Sequence, residues 1–158
     1  EEGLLDGEAE IFATNHPVIA VPADNPAGIS TFADLAKKGV RLVMCAPDVP
    51  CGRLAVQVAD AADVTLHPVS EESAVADVLA KVVSGEADAG LVYASDAVTA
   101  GDAVTPIEIP QADAFRNAYP IAVAASAGEL SAAAQDFQAL VLSDQGHAVL
   151  TTAGFGQP

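Results

Sequence analysis

The chain has 158 residues, 51% apolar and only 18% charged, yet 22 acidic residues against 6 basic ones leave a net charge of −16. That length suits one ordinary domain, or one lobe and part of another, and buries a core without metal or disulfide staples. The acidic balance excludes gripping nucleic acid by its phosphates or docking on an anionic membrane, since both need a basic face. Val, Leu, Ile and Ala spread throughout exclude disorder, and no apolar run approaches the roughly 20 residues of a membrane helix. The opening Glu1-Glu2-Gly3, with no initiator Met, is expected of a processed or trimmed product.

Short apolar strands alternate with helical patterns, which predicts an α/β protein with a largely parallel sheet. Residues 16–22 read as a strand closed by proline, and 24–28 as a turn. Ser30 or Thr31 caps a short helix through Leu35 that stops at Gly39. A second strand spans 40–45. After the loop 46–50, a helix over 51–62 carries the stripe Leu54, Ala55, Val58, Ala59 and Ala62. Residues 64–69 are expected to form a third strand, and 70–73 to supply caps for the next helix. That helix has the clearest pattern, with Val75, Val78, Leu79, Val82 and Val83 on one face, and Ser84-Gly85 ends it. A buried strand is expected at 87–93 and a short helix or turn at 94–101, then strands at 104–109 and 119–124. Helices over 129–142 and 144–152 follow, with Gly154 at C′.

Three places suit ligand binding, because open α/β sheets bind at the carboxyl ends of their strands. In Pro47-Asp48-Val49-Pro50-Cys51-Gly52, the amides of Cys51, Gly52 and Arg53 start a helix, backed by its positive dipole end. Pro50 fixes the entry, and Gly52 is expected to let a ligand approach the backbone. The same residues also suit an ordinary strand–helix connection. The second place is the start of the helix carrying Val75, with Ser73 as cap and the Ala74 and Val75 amides as donors. Glu71 and Glu72 must then face solvent. The third is Tyr93, whose phenol at a strand end can donate into a cleft, or simply be half-buried with a wet hydroxyl.

His16, His67 and His147 have no metal-ligand spacing and read as structural, His67 in a strand and His147 in a helix. No zinc pattern, P-loop, G-x-G-x-x-G, G-x-S-x-G or paired carboxylates stand out, so neither metal, cofactor nor catalytic residue is expected. Cys45 and Cys51 stand six apart, one at a strand end and the other at a helix start. Two readings stay open: a bridge that removes thiol charge and pins the loop, or free thiols with Cys51 as a nucleophile in a thiol enzyme. No histidine partner for such a nucleophile is evident.

Taken in order, several segments resemble the molybdate-binding proteins of bacterial ABC transporters, in the type 2 periplasmic-binding-protein family. Asn15-His16-Pro17-Val18-Ile19-Ala20-Val21-Pro22 looks like that family's crossover strand, and Pro47-Asp48-Val49-Pro50-Cys51-Gly52-Arg53 like its proline-x-x-valine-proline-alanine-glycine loop. Residues 75–97, through Gly85-Glu86-Ala87-Asp88-Ala89-Gly90-Leu91-Val92-Tyr93, look like its most recognisable stretch. Tyr119-Pro120-Ile121-Ala122-Val123 looks like the return crossover, and Ser143-Asp144-Gln145-Gly146 with Gly154-Phe155 resembles the ending.

The resemblance implies an α/β periplasmic-binding-protein fold with one complete lobe, 23–110, and part of the other, 1–22 and 111–158. It implies a tetrahedral oxyanion held between lobes by the Cys51 amide, the Val75 amide and the Tyr93 hydroxyl, with first-lobe serine segments lying before this chain. The implied ligand is molybdate, with tungstate beside it, and the implied partner is a membrane permease. The implied location is extracytoplasmic, periplasmic or lipid-anchored on the outer face of the cell membrane, and the implied complete protein is a monomer. Cys51 replaces the usual alanine, where only the backbone is asked to bind. Alternatives are sulfate, phosphate or a small carboxylate as ligand, or a cytoplasmic sensor domain of a transcription regulator.

Overall fold

The computed structural model describes residues 3–158. In chain order its main elements are β1 (Leu5–Asn15), β2 (Pro17–Pro22), β3 (Leu42–Cys45), α1 (Pro50–Ala61), β4 (Ser70–Glu72), α2 (Val75–Val83), β5 (Ala89–Tyr93), α3 (Ala94–Ala100), β6 (Val104–Ile107), β7 (Asn117–Ala124), α4 (Ser131–Leu142) and α5 (Asp144–Thr152). They separate into two compact units, residues 16–116 and residues 1–15 with 117–158.

Residues 16–116 are built on a five-stranded sheet in the order β4-β3-β5-β2-β6. β3 runs parallel to both β4 and β5, whereas β2 is antiparallel to β5 and to β6. Four strands therefore share one direction, as helical crossovers require, and β2 alone opposes them. Because β2 lies between two neighbours, two of the four pairings are antiparallel, and the expected largely parallel sheet is a mixed one.

Both faces of this sheet are covered, and the strands alternate between them. Ile19, Val21, Leu42, Met44, Ala89 and Leu91 pack on one face with Ala55, Val58 and Ala59 of α1. Val18, Ala20, Val43, Cys45 and Val92 pack on the other with Val78 and Val82 of α2. Gly90 permits this approach: a Cβ there would lie 2.6 Å from Val78 Cγ1 and 2.9 Å from Val82 Cγ2. Burial on two sides explains why these strands read as near-continuous apolar runs.

In the other unit β1 and β7 form an antiparallel pair. Tyr119 packs edge-on to Phe155 and tilted to Phe12. α5 ends in a Schellman turn, with Gly154 at φ +87° and the Gly154 and Phe155 amides donating to Thr151 and Leu150. Neither α4 nor α5 buries a residue fully.

The structure corrects the sequence expectations in several places. β1 has no counterpart there. Residues 64–69 form no strand: Val64 and Leu66 pack against the core, but Pro68 lacks a donor, and pairing begins only when the Val69 amide reaches the Leu42 carbonyl at 2.8 Å. His67 accordingly lies outside any strand. The unit boundaries fall at 15/16 and 116/117 rather than 22/23 and 110/111. β2 belongs wholly to the five-stranded sheet, and Ala112 and Phe115 pack into its core.

Thr31 precedes the single-turn helix Phe32–Ala36 as expected, and Asp34 organises that turn. Its carboxylate accepts from the Ser30 amide at 2.9 Å and the Thr31 amide at 2.8 Å, and pairs with Lys37 at 2.7 Å. Lys37, then the two amides, holds its pKa well below the usual carboxylate range. A carboxylate with a lowered folded-state pKa stabilises above its unfolded pKa, and that stability is lost as pH falls through the folded value. Asp34→Asn is therefore expected to lower the melting temperature at pH 7, with the gap to wild type narrowing as pH falls below about 4. Thermal melts showing an unchanged gap at low pH would contradict this role.

Candidate functional site

Because β4, β3 and β5 are parallel neighbours, their carboxyl ends lie along one edge, where Cys45, Glu72 and Tyr93 end the strands. The start of β2 joins them, since it is antiparallel and Pro17 pairs with Tyr93. Helices α1, α2 and α3 leave from this edge with their N-termini toward it.

α1 begins at Pro50, with Val49 as N-cap and no side-chain cap bond. The Cys51 and Gly52 amides are among the first of the helix and have no acceptor among the described residues. A disulfide joins Cys45 to Cys51, with Cα atoms 5.7 Å apart. This removes the thiol-enzyme reading, since a bridged sulfur is no nucleophile. Gly52 does not serve the role expected for it. It is buried, and a Cβ there would overlap the Ala46 carbonyl oxygen. It is small because the loop folds back on the helix, not because a ligand needs room.

The start of α2 also differs from expectation. Residues 70–72 extend as β4, so Ser73 falls outside the helix, and Ala74 is the N-cap with no side-chain bond. The Ala74 carbonyl accepts the Asp77 amide at 3.2 Å, which leaves the Val75 and Ala76 amides at the open end of the helix. Glu71 is exposed, whereas Glu72 is half-buried and ion-paired to Lys81. Lys81, with Ser70, lowers the Glu72 pKa and neutralises its charge.

Tyr93 ends β5 and is half-buried. Its amide donates to the Asp96 carboxylate at 3.0 Å, and the Ala94 amide donates to the His16 carbonyl at 3.0 Å. Burial raises the Asp96 pKa, partly offset by the Tyr93 bond. Asp96 is a functional neighbour of Tyr93 with a local sequence signal, since an acid three residues after a strand end marks a helix start.

Cys51, Val75 and Tyr93 line one hollow, together with Pro17, Leu54, Ala55, Leu91 and Val92. No lining residue carries a charged side chain. The hollow has about 10 Å³ of free volume, room for about one water and too little to enclose a larger ion. A larger cavity, about 370 Å³, lies in the other unit, between Phe12, Ile121, Phe137, Leu140 and Val149. Its wall is almost wholly apolar and offers nothing to hold an ion. His16 pairs with Glu108 at 3.1 Å, and among the described residues no cluster suits a metal.

A family described as bacterial extracellular solute-binding protein matches residues 1–156. The molybdate-binding protein ModA of Mycobacterium bovis is 45% identical over 156 residues, 99% of this chain. The chain spans 59% of the length of that relative. Among solved structures, the periplasmic molybdate-binding protein of Azotobacter vinelandii superposes with TM-score 0.70 at 22% identity, over 99% of this chain and 71% of that one. The sulfate-binding protein SubI of Mycobacterium tuberculosis gives 0.65 at 21%, over 96% and 61%. Likeness at that identity establishes the shared fold alone.

Gly52→Ala is expected to destabilise the protein by about 1–3 kcal/mol through overpacking. An exposed helix position would gain from the same change. A urea midpoint that is unchanged or raised would show that the loop does not press on this residue.

Proposed function

This chain belongs to the bacterial extracellular solute-binding protein family, and from that premise we propose that it captures molybdate, and tungstate beside it, for an ABC importer. The observation that carries the proposal is the convergence of Cys51, Val75 and Tyr93 on one hollow at the carboxyl ends of the parallel strands β3, β4 and β5. The 45% identity to a relative named for molybdate points to the same ligand.

The chemistry is that of neutral donors. The Cys51 and Val75 amides and the Tyr93 hydroxyl each donate toward an oxyanion, with the positive ends of α1 and α2 behind the amides. A hydrogen bond to a charged acceptor contributes about 1.5–3 kcal/mol. With no charged side chain in the wall, the dianion meets no counter-ion that would favour a particular protonation state. A net charge of −16 does not forbid this, because exposed charges beyond about 10 Å are screened by salt, whereas helix termini act at contact. Molybdate and sulfate carry the same charge and acceptors, so discrimination rests on the size of the completed cage, of which this hollow is one wall. The protein binds and releases its ligand unchanged and needs no cofactor. The disulfide fits an oxidising, extracytoplasmic location, from which a membrane permease would receive the anion.

Molybdate is expected to raise the melting temperature of the full-length protein, and sulfate and phosphate to raise it far less. Ligand at 100 times its Kd would add about 2.7 kcal/mol. Equal shifts for all three anions would remove molybdate selectivity. Tyr93→Phe is expected to weaken molybdate binding by about 1–3 kcal/mol by calorimetry, and an unchanged affinity would take the phenol out of the site.

A further inference from the structure

We propose that the Cys45–Cys51 disulfide is a positioning element of the oxyanion site, and that its reduction weakens the hold on the anion. This rests on the reading of the hollow as an oxyanion site. The bridge joins two unlike places. Cys45 is 1% exposed, in the core at the end of β3, whereas Cys51 is half-buried in the wall of the hollow.

The loop between them depends on that link. Its N-cap, Val49, gives α1 no side-chain bond, so the usual device for fixing a helix start is missing. The loop is also held by hydrogen bonds to main-chain carbonyls: the Ala46 amide donates to the Glu72 carbonyl at 2.8 Å, the Val49 amide to the Ala46 carbonyl at 3.1 Å, and the Arg53 side chain donates through Nη1 to the Asp48 carbonyl at 2.7 Å. Gly52 adds close packing against Ala46. Apart from the main chain itself, the bridge is the covalent tie from the start of α1 back to the core strand, and it passes through the residue whose amide is to donate to the anion.

Reduction has a definite chemistry. A dithiol thiolate attacks the Cys51 sulfur, the more accessible of the two, and the Cys45 sulfur leaves with the electron pair and takes a proton. The second thiol of the reductant then displaces Cys51 and closes its own disulfide, leaving two protein thiols. Cys45 remains an apolar, buried thiol. Cys51 sits at a helix N-terminus, where a thiol loses its proton more readily, and a thiolate there repels an oxyanion in the same hollow. The loop also loses the preorganisation that limits the cost of binding. Both effects act in the same direction.

The test compares oxidised and dithiol-reduced full-length protein, the latter desalted under anaerobic conditions, by molybdate titration calorimetry. The Cys45→Ala/Cys51→Ala double variant, treated identically, is the control. The reduced wild type is expected to bind at least about tenfold more weakly, with affinity restored on reoxidation. The treated and untreated double variant are expected to bind alike, and far-UV circular dichroism to be unchanged throughout. Equal affinity of oxidised and reduced wild type would overturn the proposal while leaving the site intact. A double variant that loses affinity on treatment would also overturn it, since the effect would then lie elsewhere. Failure of the oxidised wild type to bind molybdate at all would overturn the site and this inference together.

Discussion

Everything proposed for this protein depends on β3 lying between two parallel neighbours. Parallel pairing with both β4 and β5 puts three strand ends on one edge, and with them the starts of α1, α2 and α3. Were either neighbour reversed, its helix would start from the opposite edge and its amides would be lost to the site. The packing that enforces this order is specific. Gly90 lets α2 lie directly on β5, and the alternating strand residues feed two cores, one under α1 and one under α2.

The electrostatics follow from that geometry. A protein with 22 acids and 6 bases has few cations to offer a dianion, and the hollow uses none. Its polar groups are peptide dipoles and a phenol. The nearby acids are handled individually: Glu72 is neutralised by Lys81, and Asp96 accepts the Tyr93 amide while burial keeps its pKa raised. Arg41 is likewise tied to Asp88 at 2.5 Å, away from the hollow. Lys81 and Arg41 thus serve acidic partners, and no charged side chain lines the hollow.

Much of this was legible in the sequence because it is written locally. The 75–83 stripe gives α2, the Pro50-Cys51-Gly52 entry gives α1, and each candidate donor sits just after or at the end of an apolar run. What was missed needs information from elsewhere in the chain. β1 alternates Asp6, Glu8 and Glu10 with Leu5, Gly7, Ala9 and Ile11, and the small Gly7 and Ala9 leave its period-2 apolar signal weak. Residues 64–69 do alternate, but a strand needs a partner for its amides, and Pro68 delays pairing to 70–72. That shift moved the α2 cap from Ser73 to Ala74. The reversed direction of β2 has no local signature at all. Gly52 does mark a close approach, but the approaching group is the chain itself, at the Ala46 carbonyl.

The claim at the centre is that two peptide N–H groups, from Cys51 and Val75, donate to the bound anion. Nitrogen-15 NMR of the full-length protein during a molybdate titration tests it most directly. The Cys51 and Val75 amide resonances are predicted to move downfield together, among the largest shifts in the spectrum, and to saturate at the calorimetric stoichiometry. Saturable binding that leaves both resonances in place would contradict the account.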